Sequence, residues 1–274
     1  MNKTKDLLKS LDEKIQKVQS SDEFKEILKT FSQFHNYSYH NSLLIKMQCP
    51  EASYVAGFKQ WQKKFNRNVK KGEKGIAILA PFSYKKKVTK LENGKEVEKE
   101  IKETYFRPVY VFDVSQTEGE PLPEVDLSFD PTNIDILSPL IELISKEDLN
   151  FKFKSLPKRL DGYLKEDTIV IDKKANKTEQ AAILIHELGH YYLHSKSEDK
   201  KLTKEIVEME AEAVAFVVMY HFGIDIKSDK YLALYKESYS LDESLNRINK
   251  VSSKILGFLE EADINGWKEI SKAV

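Results

Sequence analysis

The stretch Ala181–His194 reads AAILIHELGHYYLH and places three of the chain's six histidines within nine residues. Apolar residues on both sides of His186 and His190 indicate a buried helix, and a spacing of four residues puts the two imidazoles on one helical face. Glu187 lies next to the first of them. This HExxH pattern is typical of two metal ligands with an adjacent glutamate that acts as general base toward the attacking water.

Catalytic zinc sites commonly have three protein ligands, so the pattern predicts a third donor on another element. The following segment, KEIVEMEAEAVAFVVMYHFG, predicts a helix over 201–222 that carries several carboxylates near its start. Glu205, Glu208 and Glu212 share one face of this helix, whereas Glu210 lies on another. We expect Glu208 to be the third ligand and Glu212 to accept a hydrogen bond from a ligand histidine. A solvated helix start is the alternative for both.

The donor set leaves the metal open, because Zn²⁺, Mn²⁺ and Co²⁺ all accept two imidazoles and a carboxylate. Zn²⁺ is the expected cofactor, with another divalent metal such as Mn²⁺ as the alternative. His194 and His221 are interpreted as polar residues at helix ends and not as ligands. A pair of core histidines with a glutamate between them by chance is the alternative to the metal site as a whole, and a chain of this length shows such a pattern about once in a hundred cases.

A basic segment in the N-terminal half favours nucleic-acid binding. Between Tyr54 and Lys90, eleven basic residues stand against one acidic residue in a chain whose formal net charge is zero. Lysine and arginine side chains can follow phosphates, and exposed aromatic rings can stack on bases. Core aromatics beside a solvated lysine-rich surface are the alternative. The candidate contacts are Tyr37, Tyr39, Asn41, Trp61, Lys63, Lys64, Arg67, Lys70, Lys71 and Lys74, with Phe82 as a further stacking residue.

Hydrophobic periodicity predicts helices before and after a region of strands. Two helices over residues 4–30 are separated at Ser20–Asp22, and a β-hairpin has its tip at Glu92-Asn93-Gly94. Three more helices close the chain, and we expect the HExxH helix to begin at Thr178 as its N-cap. The predicted fold class is α+β in two domains. These are a small α+β domain over 1–118, an acidic linker over 119–131 and a mainly helical domain over 132–274.

The composition favours a cytoplasmic protein that has no membrane segment. Cys49 is the only cysteine, so no internal disulfide is possible. The beginning, MNKTKDLLKSLDEK, lacks the apolar region of a signal peptide, and no stretch approaches the roughly 18 apolar residues of a membrane span.

Two sets of motifs carry a family resemblance. The C-terminal motif reads IHELGHYYLH followed by E-x-E-A-E-A-V-A-F. It resembles the ImmA/IrrE group of metallopeptidases. The minimal gluzincin (zincin-like) fold of that group joins an HExxH helix, a preceding edge strand and a following helix with a glutamate ligand. Members of this group often carry Asn four positions after that glutamate. This chain has Glu212 there, which is closer to the ArdC branch.

Four N-terminal blocks read NYSYHNSLLI, P-x-A-x-x-V-A-G-F-K-Q-W, V-K-K-G-E-K-G-I-x-I-L-A-P and V-F-D-V-S-Q-T-E-G. Together they are similar to the single-stranded-DNA-binding domain of ArdC-type antirestriction proteins. The resemblance implies a protein of a plasmid or conjugative element that protects entering DNA from restriction. It implies single-stranded DNA as the partner of the first domain and a zinc-dependent metalloendopeptidase, acting on a protein substrate, in the second.

The residues themselves leave two alternatives to this function open. In one, the protein coats single-stranded DNA as a non-enzymatic shield and its metal is structural. In the other, it is a cytosolic metallopeptidase that cleaves a regulatory protein, and the basic half is only scaffold.

Overall fold

The computed structural model describes residues 3–18, 21–92, 95–122, 135–158, 160–194, 202–226 and 241–262. Its contacts divide the chain into two compact units. The N-terminal unit comprises Met1–Glu13 and Leu44–Gly119, and the C-terminal unit comprises Lys14–Leu43 and Glu120–Val274. The two-domain α+β architecture expected from the sequence is confirmed.

The contact division differs from the sequence expectation for residues 14–43, which pack with the C-terminal unit and not with the basic segment. Hydrogen bonds show the reason. The backbone carbonyl of His35 accepts from Ser253 Oγ at 2.7 Å, and that of Tyr37 accepts from Asn249 Nδ2 at 3.2 Å. A domain boundary predicted from composition alone does not show that an N-terminal segment packs with the C-terminal unit.

Helices α1 (Lys3–Gln16) and α3 (Tyr39–Gln48) contribute residues to both units, and α2 (Ser21–Gln33) belongs to the C-terminal one. The remaining elements of the N-terminal unit are mostly strands. They are β1 (Val55–Gly57), α4 (Phe58–Phe65), β2 (Arg67–Val69), β3 (Ile76–Glu92), β4 (Lys95–Asp113), a 3₁₀ turn (Val114–Gln116) and β5 (Thr117–Gly119).

A long antiparallel hairpin dominates the N-terminal unit. Strands β3 and β4 pair from Ile76 opposite Val111 to Glu92 opposite Lys95, and β1 adds to the other side of β4. The hairpin predicted from alternation is present, although its strands are longer than the sequence indicated. Residues 93–94 of its predicted tip lie outside the described residues.

The carboxylate of Asp113 fastens the end of β4 to the neighbouring loops. It is almost fully buried and accepts hydrogen bonds from the backbone N–H groups of Ser53 at 2.8 Å, Tyr54 at 3.1 Å and Ser115 at 2.9 Å. A buried carboxylate is stable only when such donors replace its lost hydration. The VFDVSQTEG block is therefore a structural element of this unit.

The C-terminal unit combines helices with a small sheet in the order β6-β8-β7. β6 runs parallel to β8, and β7 runs antiparallel to it. Most of the predicted acidic linker, residues 123–131, lies outside the described residues. The elements are α5 (Leu137–Lys146), β6 (Asn150–Lys154), β7 (Gly162–Lys165), β8 (Thr168–Asp172), α6 (Lys177–His194), α7 (Lys204–His221) and α8 (Leu241–Glu261).

The start of α6 differs from the predicted Thr178 cap. The Asn176 side chain accepts from the backbone N–H of Glu179, and the Glu179 carboxylate accepts from the backbone N–H of Asn176, each at 2.9 Å. This reciprocal pair is a capping box built on Asn, which satisfies two N–H groups where Thr178 would have satisfied one. No helix in the described ranges is long and apolar enough to cross a bilayer.

Helices α6 and α7 approach each other closely at Gly189, in the middle of the HExxH motif. A Cβ atom at this position would lie 3.0 Å from the backbone Cα of Ala211 and 3.3 Å from its Cβ. Two small residues at the crossing therefore allow close packing of the helices, which brings the carboxylates of α7 to the histidines of α6.

We predict opposite stability effects for alanine at two helical glycines of this unit. Gly257→Ala in α8 meets nothing within 4 Å, so it should raise the free energy of unfolding by about 0.5–1 kcal/mol through helix propensity. Gly189→Ala gains the same propensity but overpacks against Ala211, so it should be less stable than Gly257→Ala by about 1–3 kcal/mol. Urea denaturation followed by circular dichroism, with EDTA present to remove any metal contribution, measures both. Equal stabilities would show that the α6–α7 contact tolerates a methyl group.

Candidate metal centre and nucleic-acid surface

The three predicted ligands lie together in the C-terminal unit. The Nε2 atoms of His186 and His190 are 3.0 Å apart, and Glu208 Oε2 lies 3.6 Å from each of them. Both imidazoles therefore present the same nitrogen toward one carboxylate oxygen. The sequence reasoning assigned these three residues to one centre, and the fold places them as neighbours.

The separations fit a divalent cation. Ligand bonds of about 2.0–2.2 Å in a tetrahedral arrangement place neighbouring donor atoms about 3.3 Å apart. The three observed distances lie on both sides of that value, so a bound ion would require shifts of only a few tenths of an ångström. Two nitrogens and one oxygen are also the donors that suit Zn²⁺ in catalytic sites.

Glu212 fixes the orientation of His186. Its Oε2 lies 3.0 Å from His186 Nδ1, and a carboxylate can only accept here, so Nδ1 carries the proton. Once Nε2 loses its own proton, its lone pair is directed toward His190 and Glu208. This is the carboxylate–histidine arrangement by which proteins orient a metal ligand and raise its basicity.

The ring nitrogens of the two histidines have opposite tendencies to bind protons. Burial opposes protonation of His186, but its hydrogen bonds with Glu208 and Glu212 outweigh this and raise its pKa to about 9. Burial and the nearby His186 lower the pKa of His190 to about 4. Hydrogen bonding to His186 lowers the pKa of Glu208. The carboxylates therefore hold positive charge at this place in the fold, as a cation site requires.

Glu187 lies beside the donors and is buried, with 7% of its surface exposed. Burial raises the pKa of its carboxyl group, while the backbone N–H of Leu164 in β7 donates to it and opposes that rise. A desolvated carboxylate with an elevated pKa is a stronger proton acceptor than one in water. The environment of Glu187 is therefore suited to general-base chemistry.

A cleft of about 1170 Å³ opens at this centre. Its walls include His186, Glu187, His190 and Glu208 from the two helices, and residues 160–164 on the side of β7. A Cβ atom at Gly162 would lie 2.5 Å from Ile183 Cγ2, so only glycine lets β7 pass this close to α6. In the described ranges β7 pairs with β8 alone and forms an edge of the sheet.

Sequence reasoning missed the role of Glu210. This carboxylate is fully buried and forms a bidentate pair with Arg247 of α8, with Nη2 to Oε1 at 2.6 Å, while Ser244 donates a further hydrogen bond. The pair ties α7 to α8. Its only sequence signal was a glutamate inside an apolar run, which requires a partner but does not identify it.

The predicted stacking residues Trp61 and Tyr39 are core residues. Trp61 is 1% exposed, and its indole N–H donates to the backbone carbonyl of Phe112 at 2.8 Å. Tyr39 packs edge-on against Phe31, and its hydroxyl donates to Asp242. Both rings are buried, so neither can stack on a base. Tyr37 and Asn41 are half-buried and, like Tyr39, belong to the C-terminal unit.

The predicted basic contacts divide into two groups. Arg67 donates from Nε to Thr117 Oγ1 at 2.8 Å, and Lys70 Nζ donates to the backbone carbonyl of Ser115 at 2.9 Å, so both hold β2 and its turn to the 3₁₀ turn and β5. The other four lysines are exposed on α4 and on the turn before β3, where they can reach a phosphate. They are Lys63, Lys64, Lys71 and Lys74.

An exposed aromatic cluster on the hairpin was largely missed. Phe82 is paired with Tyr105, and Tyr84 lies two residues farther along β3, so the three rings share one face. Tyr105 is 47% and Tyr84 46% exposed, and the centroid of Tyr105 lies 5.9 Å from that of Tyr84. Arg107 covers the Phe82 ring, with Cζ 3.3 Å from its centroid. We call Phe82, Tyr84 and Tyr105 the hairpin aromatic cluster.

Two family models match the two halves of the chain. Residues 2–112 match the N-terminal domain of the anti-restriction factor ArdC, and residues 146–256 match the IrrE N-terminal-like domain of the M78 peptidases. The two matches together support an ArdC-type two-domain protein. The ArdC-type assignment agrees with the resemblance found in the sequence motifs, and each domain model covers one of the two sites described above.

An uncharacterized protein of Bacillus anthracis is 28% identical to this chain over 88% of the chain and 48% of that relative. The chain thus spans about half the length of the curated relative it matches. The crystal structure of the antirestriction protein ArdC from plasmid R388, in its metal-free form, superposes with a TM-score of 0.40 at 16% identity, covering 85% of this chain and 84% of the other. At this score the superposition adds nothing to the assignment, which rests on the two domain models.

We expect Glu212→Ala to weaken metal binding although Glu212 is not itself a ligand. Loss of its hydrogen bond frees the His186 ring, and such outer partners contribute about 10–100-fold to metal affinity. Glu205→Ala, an exposed glutamate on the same helix, is the matched control and should leave affinity unchanged. Competition with a chromophoric chelator for Zn²⁺ measures both, and identical affinities would remove Glu212 from the centre.

Proposed function

We propose that this chain is an antirestriction protein of a conjugative element that binds single-stranded DNA through its first domain and has a divalent-metal peptidase site in its second. One observation carries the peptidase part, which is the buried Glu187 beside the convergent donors His186, His190 and Glu208. Structural metal sites are usually closed, whereas this one borders a large cleft.

The residues of the site support hydrolysis of a peptide bond. A divalent ion held by His186, His190 and Glu208 would act as a Lewis acid that makes water a nucleophile near neutral pH. Glu187 would accept the proton of the attacking water and return it to the amine that leaves. Its burial, which raises the pKa of its carboxyl group, suits both halves of that transfer.

The edge strand β7 offers a way to hold a protein substrate. An extended peptide can pair with an exposed strand edge through backbone hydrogen bonds, and β7 borders the cleft that contains Glu187. A segment bound in this way would pass the metal ligands in a fixed register. The favoured substrate is therefore an extended or unfolded segment of a protein.

Glu187→Gln tests whether this chemistry is needed. The substitution keeps the shape of the side chain but removes the base, so peptide hydrolysis should fall by about 10²–10⁴-fold while Zn²⁺ content stays unchanged. We expect plasmid transfer into a restricting host to fall to the level seen without the protein. Glu205→Gln, exposed on α7, is the control and should protect fully.

Retained protection by Glu187→Gln, with one metal ion bound and DNA binding intact, would support the non-enzymatic shield instead. Loss of protection together with loss of metal would show only that the site had collapsed. Metal content measured on the same samples separates these outcomes.

The hairpin aromatic cluster and the exposed lysines support the DNA-binding part. Bases stack on accessible rings largely independently of sequence, and lysines neutralise phosphates along the strand. The hairpin lysines are less available, because Glu100 lies 3.1 Å from Lys85 and Glu103 lies 3.9 Å from Lys86. The free positive charge therefore concentrates on α4 and the turn before β3. We propose Lys63, Lys64, Lys71 and Lys74 as phosphate contacts.

The double variant Tyr84→Ala/Tyr105→Ala should bind single-stranded DNA more weakly, by about 1–3 kcal/mol for each stacked base lost. Phe153→Ala removes a similarly exposed ring, 44% accessible, from the C-terminal unit, and is expected to bind as the wild type does. Fluorescence anisotropy of a labelled oligonucleotide at fixed salt measures all three proteins. If the double variant and the control bind equally, the hairpin aromatic cluster is not the stacking surface.

Action in the cytoplasm follows from the proposal, because entering DNA meets restriction enzymes there. If the wild-type protein does not bind single-stranded DNA, the remaining interpretation is a peptidase that acts on a regulatory protein.

A further inference from the structure

A second group of metal-binding side chains lies in the C-terminal unit, away from the HExxH centre. His35 follows α2, His221 is the last residue of α7, and Glu260 lies in the last turn of α8. Their ligand atoms all lie within 4.8 Å of one another. Because α7 rises 1.5 Å per residue, His221 is about 20 Å along the helix from Glu208, so the two groups cannot share an ion.

The donor atoms of this group are as closely spaced as those of the HExxH centre. Glu260 Oε1 lies 2.9 Å from His35 Nε2 and 3.6 Å from His221 Nε2. Tetrahedral coordination at bond lengths of about 2.0–2.2 Å separates donors by about 3.3 Å, between these two values.

The backbone selects the tautomer that a metal needs at His221. Its Nδ1 lies 3.0 Å from the carbonyl oxygen of Ser32. A carbonyl only accepts, so Nδ1 carries the proton and the Nε2 lone pair is directed toward Glu260. Glu212 does the same for His186 at the HExxH centre, and metal-ligating histidines regularly show such a partner.

His35 gives the independent indication that something is bound here. Its side chain is 8% exposed, and neither ring nitrogen makes a hydrogen bond within the described ranges. Nε2 is close to Glu260 but not aligned for a hydrogen bond. A buried polar group without a partner is destabilising. A cation coordinated by His35 Nε2 and Glu260 would give Nε2 a partner.

We propose that His35, His221 and Glu260 form a second divalent-metal site, independent of the HExxH centre and structural in role. It is buried, and it would cross-link the end of α2 to the ends of α7 and α8. Two imidazole nitrogens and one carboxylate oxygen are donors that suit Zn²⁺ or Co²⁺. No buried carboxylate stands next to these donors as Glu187 does next to the HExxH ligands, within the part of the chain that the structure describes.

The test measures Co²⁺ and Zn²⁺ stoichiometry on the full-length chain by equilibrium dialysis and elemental analysis. Wild type should bind two equivalents. His186→Ala/His190→Ala, which destroys only the HExxH centre, should still bind one, with a visible Co²⁺ spectrum typical of four-coordinate nitrogen and oxygen ligands. This variant leaves the second group intact, so the result does not depend on tolerance of substitutions there.

Adding Glu260→Gln to the same double variant should abolish the remaining binding, while adding Glu261→Gln at the adjacent exposed position should not. Zn²⁺ should raise the thermal midpoint of the Glu261→Gln protein and leave that of the Glu260→Gln protein unchanged. The proposal fails if His186→Ala/His190→Ala binds no metal, or if the two glutamine variants bind equally. Neither result bears on the peptidase proposal, because the HExxH centre is absent from these proteins.

Discussion

The close contact between α6 and α7 at Gly189 and Ala211 is the constraint on which the C-terminal unit depends. With larger residues at this crossing, Glu208 and Glu212 would move away from the histidines of α6. The glycine within HExxH is therefore part of the site although it offers no ligand. Glu187 is buried on the side of β7, where a Cβ atom at Gly162 would lie 3.6 Å from its Oε1, and this burial raises the pKa of its carboxyl group.

The elements that could be predicted from sequence are those with local periodicity. A four-residue spacing of histidines on an apolar helix determines their face, and a following helix with carboxylates one turn apart determines which of them can meet that face. Glu208 and Glu212 lie where this reasoning placed them. The capping of α6 was misplaced by two residues, because Thr178 and Asn176 are both good caps and only the reciprocal bond with Glu179 distinguishes them.

Contacts between distant parts of the chain could not be predicted in this way. Glu210 and Arg247, or His35 and Glu260, are brought together by packing of helices, and no spacing rule links them. The N-terminal blocks posed the opposite problem. Their aromatic residues were expected to stack on bases, yet Trp61 and Tyr39 are core residues. Exposure of a ring depends on which face of its helix or strand meets the core. The hairpin continues beyond the core with both faces open, so Tyr84 and Tyr105 are accessible.

Helix α7 carries metal-binding side chains near its start and at its end, and the two places differ in burial. Near its start, Glu208 is half-exposed and faces a cleft with a proton acceptor beside it. At its end, His221 has a side chain that is only 11% exposed and lies between Ser32 of α2 and Glu260 of α8. A cation in the first place can meet a substrate, while a cation in the second can only hold helices together. The donor types alone would not distinguish these roles; access to solvent and the presence of Glu187 do.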